Sequence, residues 1–366
     1  MTNRFERNIF EICELYGLGD GRKTIEEVLN GHINRTYNLT ITNKKEKRRF
    51  IIQRINTTAF SQPKIIMENI RELSKWLDGQ EAEECDVLRF LFNKNGENYF
   101  ITDDGGFWRV APYIENSVTY DEIEDAEMMR RMGSAFGTFQ KQLSGMPLDK
   151  LNETIPDFHN TKKRLENFFE KVNEDPCGRA AEVADEIAFF AEHKELFSTL
   201  QNMRDSGELP SRVTHNDTKC NNILFDRDTG APLTVIDLDT VMPGLCAYDF
   251  GDAVRCAANT SSEDEKDLSK VSLNMEYFKA FTEGFVGAAK EFLTENELKY
   301  LAFGAPTIAF ELASRFLYDY LDGDKYFRIL YDDHNLVRAR CQIALCRDMM
   351  SKLDEMNAIV MDCWNK

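Results

Sequence analysis

Apolar residues along the chain change their spacing near residue 120. Phe5, Ile9, Phe10, Ile12 and Leu15 recur at near-helical intervals and then meet the glycine-rich stretch Gly17 to Gly21, which predicts a leading helix with a firm stop. In TIEEVLNGHINRTYNLTI and KRRFIIQRI, β-branched and aromatic residues flank the Asn30-Gly31 turn and the charged cluster from Asn43 to Lys47, so three strands joined by tight turns are expected. After Pro63, the stripe Ile66, Ile70, Leu73 and Trp76/Leu77 predicts an amphipathic helix. Strand-like runs follow at Val87 to Phe92, at Asn98 to Thr102 and in FWRVAPYI. That order describes a small α+β lobe built on antiparallel strands.

From Tyr120 onward the pattern predicts long helices at 122–143, 162–172, 180–203, 274–288 and 295–321. One stretch interrupts them. In VTHNDTKCNNILFDRDTGAPLTVIDLDT, residues 213–240, the short apolar runs VTH, NILF and LTVIDL are separated by polar loops and the Asp228-Thr229-Gly230 turn. The reading is a bilobal α+β chain, with residues 1–115 as a β-rich lobe and 116–366 as a mostly helical one, joined at ENSVTYDE.

A net charge of −18 sets the surface against nucleic acid and anionic membrane as partners. Nine cysteines, without a CxxC pair or a zinc-like His/Cys spacing, fit a reducing compartment. No secretory signal is read at the start, and no apolar run approaches the roughly 18–20 residues that cross a bilayer. A soluble cytoplasmic protein is expected.

The candidate chemistry lies in the β-island. Asp217 stands five residues before Asn222 and twenty before Asp237, and the intervening hairpin returns the chain so that these groups can converge. Asn222 and Asp237 offer the oxygen ligands a hard cation such as Mg²⁺ takes. Asp217 then remains as a carboxylate able to accept a hydroxyl proton, the arrangement of a phosphoryl-transfer site. Asp226 and Asp228, beside Gly230, read as turn residues, and His215 as a structural residue bonded to backbone.

HNDTKCNN followed by VIDLD resembles the motifs of the aminoglycoside-phosphotransferase-like kinases. GHINRTYNL, FIIQRIN, LNETIPDFHNT, VIDLDTVMPG and YDFGDAVR resemble their N-acetylhexosamine 1-kinase branch, over residues 20–350. The resemblance implies a protein-kinase-like fold that uses ATP and Mg²⁺. It makes Asp217 the base, Asn222 and Asp237 the magnesium ligands with Asp239 assisting, and Lys219 a cation for the transferring phosphoryl group. GHINRTY becomes the phosphate-covering loop, with Gly31 alone where protein kinases carry several glycines. Arg54 takes the role of the phosphate-pairing cation, with Gln53 on the opposite face and Glu68 as its ion-pair partner. Main-chain groups of Pro112, Tyr113, Ile114 and Glu115 form the hinge that meets adenine. Arg315, Tyr326, His32 and Asn34 contact a sugar. Asp249-Phe250-Gly251 is read as a structural helix start, since no activation segment with Ala-Pro-Glu follows. Another acceptor alcohol (choline, homoserine or an aminoglycoside) and a kinase-like binding module without turnover stay open as alternatives.

Overall fold

The computed structural model describes residues 4–29, 33–80 and 83–366. A helix, α1 (Arg4–Leu15), precedes three antiparallel strands, β1 (Arg22–Val28), β2 (Arg35–Thr42) and β3 (Lys47–Arg54), and then α2 (Pro63–Leu77). After β4 (Asp86–Val87), the strands β5 (Phe100–Ile101) and β6 (Phe107–Pro112) complete a five-stranded sheet in the order β1-β2-β3-β6-β5. Strand alternation gives this sheet two different faces. Tyr37, Leu39, Ile41, Phe50, Ile52, Trp108 and Val110 pack against Ile9 and Ile12 of α1, while Phe107 and Ala111 belong to the large core of the rest of the molecule.

The run expected as a strand at Val87–Phe92 divides its pairing. Asp86 and Val87 lie parallel to Thr234 and Val235, whereas the Leu91 N–H bonds the Val110 carbonyl at 2.8 Å. The segment therefore stitches the two regions together instead of belonging to one.

Beyond β7 (Ser117–Val118) come α3 (Ala126–Gln142), α4 (Thr161–Glu174), α5 (Ala184–Phe197) and α6 (Thr199–Ser206). The β-island follows as β8 (Arg212–Thr214), β9 (Ile223–Asp226), β10 (Pro232–Val235) and β11 (Met242–Gly244). Here β4-β10-β9-β7 form one small sheet and β11-β8 another. The chain closes with α7 (Cys246–Ala257), α8 (Met275–Ala289), α9 (Glu295–Leu301), α10 (Gly304–Asp322), α11 (His334–Ser351) and α12 (Leu353–Asn365). Two expected single helices are each divided, at Ser198 and at Ala302–Phe303. The helices at 334–351 and 353–365 were not anticipated; the first has no one-sided stripe, while the second buries Met356, Val360 and Cys363 on one side.

At the α7–α10 crossing, Gly251 and Gly304 bring backbone against backbone, where any side chain at Gly304 would strike the Ala247 carbonyl. This close approach seats the first turn of α7 beneath the β-island. Among the described residues no helix is long and apolar enough to cross a membrane.

Candidate functional site

The loop after β8 is suspended from α7. The Asp249 carboxylate accepts the His215 and Asn216 N–H groups at 2.8 and 2.7 Å, and Asp252 accepts the Thr218 N–H at 2.9 Å. Burial pushes the Asp249 carboxyl up, while Arg255 and its neighbours outweigh burial at Asp252 and hold it low. YDFGD lies in the opening turns of α7, as expected of a helix start, and its two aspartates also fix the loop that carries Asp217. The signal was their spacing of three, which puts both on one helix face. His215 is wholly buried between Phe136 and Phe139, with Nε2 2.8 Å from the Ile236 carbonyl, in keeping with a structural role.

Asp217 emerges beside Lys219, whose Nζ lies 3.0 Å from its Oδ2. Burial disfavours the Lys219 charge, but Asp217, Asp237 and Asp252 outweigh it and raise its pKa. A single 3₁₀ turn, Cys220–Asn222, draws Asn222 back so that Nδ2 donates to the Asp217 carbonyl and to Oδ2, at 2.8 and 3.0 Å. Its Oδ1 accepts no hydrogen bond from the described residues. Asp237 sits at the end of β10 in the left-handed region (φ 61°, ψ 57°), a costly conformation for a residue with a side chain. Burial, then Asp239 and Asp217, raise its carboxyl well above the ordinary range, with Lys219 and Arg109 opposing.

Five charged groups thus gather here. Lys219 is paired with Asp217 and Arg109 with Asp239, leaving Asp237 as the carboxylate without an ion pair among the described residues. Together with the free Asn222 amide oxygen, Asp237 fits a hard dication that keeps phosphate and water in its shell. No group of three His, Cys, Asp or Glu residues among those described encloses a metal, so a site of this kind depends on ligands from outside the protein.

The sheet arginine that reaches the carboxylate cluster is Arg109 and not Arg54. Arg54 shares the α1 side of the sheet with Phe50 and Ile52, reaching Asp104 at 3.8 Å and the Trp108 ring at 5.8 Å. Gln53 points the other way, donating to Thr36 Oγ1 at 3.1 Å and accepting the Arg109 Nε–H at 2.9 Å. Arg109, wholly buried on β6, then pairs with Asp239. The parity assumed for Gln53 and Arg54 is therefore reversed. The overlooked signal was an arginine in the otherwise apolar WRVAP, since a buried guanidinium requires a partner.

Glu68 stays on the exposed face of α2 and does not reach Arg54. The inward polar residue is its neighbour Asn69, which donates to the Asn152 and Val241 carbonyls at 2.8 and 2.9 Å. Around the expected hinge, the Arg49 guanidinium lies 3.3 Å from the Tyr113 ring centroid and bonds Glu115 at 3.0 Å, while Ser117 Oγ donates to the Ile114 carbonyl. Pro112 ends β6 opposite Phe50. Asn34 donates to Asp239 at 2.7 Å, so it lies among the carboxylates. Gly31 and His32 lie outside the described residues.

Arg315 and Tyr326 line a separate cavity of about 320 Å³ with Phe158, Tyr318, Phe327 and Arg164. The Arg315 guanidinium carbon is 5.6 Å from the Phe158 ring centre and 5.5 Å from that of Phe327. One turn earlier on α10, buried Glu311 accepts from Thr161 Oγ1 and faces His159 Nδ1, both at 3.0 Å, with Arg164 Nε at 3.4 Å. Burial pushes the Glu311 carboxyl up, but His159, Arg164 and Arg315 outweigh it and hold it low. Asp319, the carboxylate in the cavity wall, is saturated by the Lys325, Tyr326 and Phe327 N–H groups and by Asn335 Nδ2, all within 2.9 Å.

Residues 24–274 match the phosphotransferase enzyme family. The chain belongs to that family. Solved structures share the fold at low identity. A microcompartment-associated aminopropanol kinase superposes with a TM-score of 0.59 at 15% identity, covering 95% of this chain and 98% of its own. An aminoglycoside phosphotransferase from Alicyclobacillus acidocaldarius gives 0.60 at 13%, over 95% and 96%. Choline kinase from Cryptosporidium parvum gives 0.58 at 11%, over 97% of each chain. The family match spans Arg109, Asp217, Lys219, Asn222, Asp237 and Asp239 but ends before α10. In this phosphotransferase, then, the carboxylate cluster lies within the part common to the family, whereas the Arg315 cavity takes one wall, with Phe158 and Arg164, from inside that part and the other, with Arg315 and Tyr326, from beyond it.

Proposed function

We propose that this phosphotransferase moves the γ-phosphate of ATP to the anomeric hydroxyl of an N-acetylhexosamine, giving a sugar 1-phosphate. Residues 1–115 serve as the nucleotide-binding lobe and 116–366 as the catalytic and acceptor lobe. Asp217 accepts the acceptor's proton, and its bonds to Lys219 and Asn222 fix the carboxylate for that task. Asn222 and Asp237 hold Mg²⁺, which neutralises charge on the phosphates when bound. Lys219 offers a positive charge to the phosphoryl group in transit. Arg109 takes the role first given to Arg54, as the sheet cation tied to the metal segment through Asp239, and main chain at Pro112–Glu115 meets adenine.

The sugar assignment rests on one observation, the charge of the Arg315 cavity. Two guanidiniums and four aromatic rings line it, and its carboxylate is already saturated. Such a wall disfavours an ammonium acceptor and suits a neutral one with carbonyl and hydroxyl acceptors, contacted by Arg315 and Tyr326. The volume, at the small end of the ~300–1,000 Å³ usual for ligand cavities, suits a monosaccharide better than an aminoglycoside.

The test is ATP consumption across N-acetylhexosamines, hexoses, choline, homoserine and aminoglycosides, with and without Mg²⁺, followed by phosphorus and proton NMR of the product. Turnover on an N-acetylhexosamine with phosphate on the anomeric oxygen is expected. Phosphate on a choline or homoserine hydroxyl, with no hexosamine reacting, removes the sugar and leaves the transfer chemistry.

A further inference from the structure

Helix α10 ends in a turn whose shape is set by side chains behind it. Gly323 and Asp324 are consecutive left-handed residues (φ 94° and 57°), and for an aspartate that backbone is costly enough to need outside support. Asp324 has it from three sides. Its N–H donates to the Asp319 carbonyl at 2.8 Å, its Oδ2 accepts from Arg179 Nη1 at 2.7 Å, and its Oδ1 accepts from Asn335 Nδ2 at 2.8 Å. The same Asn335 amide donates to Asp319 Oδ2 at 2.9 Å. Asn335, the second residue of α11, is wholly buried, and its amide N–H groups are thereby spent on two carboxylates.

What this network holds is the backbone under Tyr326. The Asp319 carboxylate accepts the Lys325 and Tyr326 N–H groups through Oδ1 and the Phe327 N–H through Oδ2, where Asn335 also binds. Phe327 is anchored by packing, with its ring 4.6 Å from that of Phe316 and 5.5 Å from the Arg315 guanidinium carbon. Tyr326 is three-quarters exposed and meets Phe327 edge-on at 4.8 Å. A side chain with so little packing takes its position from its backbone.

We infer that Asn335 is a positioning residue for acceptor recognition: by tying Asp319 to the left-handed Asp324, it presets the 325–327 turn that places Tyr326 at the Arg315 cavity. The inference rests on the reading that this cavity takes the acceptor, and adds to it a residue that touches no acceptor. A preset turn lowers the ordering cost of binding, so Asn335 acts on acceptor affinity and leaves the chemistry at Asp217 alone.

Two variants cut the link from opposite sides. Asn335→Leu deletes both bonds at similar volume. Asp324→Gly takes the left-handed backbone without strain and deletes one bond, while the buried Asp319 keeps all its donors. With N-acetylglucosamine as acceptor, each should raise the acceptor KM about 3- to 10-fold, the size of one lost hydrogen bond, with kcat and the KM for ATP close to the parent. In a Tyr326→Ala background neither should raise it further, because a positioning residue acts through the residue it positions. Hydrogen exchange of the Lys325, Tyr326 and Phe327 N–H groups should quicken in both variants, a readout that needs no turnover. Unchanged exchange, effects that multiply in the double variants, or equal damage to kcat and the KM for ATP overturns the inference. A parent-like acceptor KM in Tyr326→Ala overturns it together with the cavity reading, whereas a raised KM there beside parent-like values in Asn335→Leu and Asp324→Gly overturns it alone. Absence of N-acetylglucosamine turnover removes the sugar, and the same kinetics with the alcohol that does react then decides the inference.

Discussion

At the Asp217 end of the molecule, three carboxylates meet two cations, each of which already has a partner, whereas the Arg315 cavity sets two guanidiniums against a carboxylate already saturated. Both are partly buried charge clusters, yet they lack opposite things. The first is short of positive charge at Asp237; the second has donors to spare. The proposed reaction would use this asymmetry, because a metal–nucleotide complex and a neutral acceptor are recognised by different chemistry. The two also differ in how they are held. The loop carrying Asp217 is fixed by backbone N–H groups gripped from α7, and the Arg164 guanidinium by the buried Glu311 on α10.

Removing the proton acceptor should break the first cluster's function most severely. Asp217→Asn keeps the shape and the Asn222 contact but cannot take a proton, so kcat should fall by ~10²–10⁴-fold with nucleotide affinity little changed. Steady-state kinetics beside nucleotide titration checks this, and parent-like turnover removes Asp217 from the chemistry. Next in size is the buried pair that ties the sheet to the cluster. Arg109→Met leaves Asp239 buried without its cation, which should cost about 3–5 kcal/mol of stability, read as a lower urea midpoint. An unchanged midpoint means that Asp239 does not depend on Arg109.

How much of this the sequence disclosed follows from how local each feature is. Asp217, Asn222 and Asp237 were legible because a short hairpin determines their convergence, and hairpins announce themselves through turn residues. The parity of β3 was not. Gln53 and Arg54 are both polar, so alternation fixes that they face opposite ways without saying which faces the α1 layer. Only the pairing of Gln53 with Arg109, across two strands distant in sequence, decides it. The grip of Asp249 and Asp252 on the 215–218 loop is likewise a long-range contact, as is the meeting of Phe158 with Arg315. The helix at 334–351 escaped because it is buried on several sides, which blurs the periodic stripe that reveals a surface helix, whereas the helix at 353–365 buries one stripe, Met356, Val360 and Cys363, that its spacing could have revealed.

The second cluster is broken by Arg315→Ala. A lost hydrogen bond from a charged donor is worth about 1.5–3 kcal/mol, or roughly 10- to 150-fold, and should appear in the KM for the acceptor and hardly in that for ATP. Equal effects on both substrates assign Arg315 to supporting Glu311 and α10 instead of contacting the acceptor. Shared loss and selective loss therefore separate a structural guanidinium from a recognising one.

The smallest expected effect sharpens the comparison between the two sheet arginines. Arg54 is two-fifths exposed and its contact with Asp104, at 3.8 Å, is long. The Asp104 carboxyl is held low chiefly by its bond to Thr102, with the Gly106 N–H, Arg54 and Asn8 contributing less, so it keeps most of its support without the arginine. Ion pairs of this exposed kind contribute about 0–1 kcal/mol. Arg54→Met preserves the aliphatic stem against Trp108 and should therefore shift the urea midpoint only slightly and leave the KM for ATP within about twofold of the parent. Arg109→Met, by contrast, should disturb both. A large rise in the KM for ATP from Arg54→Met alone would return the phosphate-pairing role to β3 and require the sheet face seen here to rearrange when nucleotide binds.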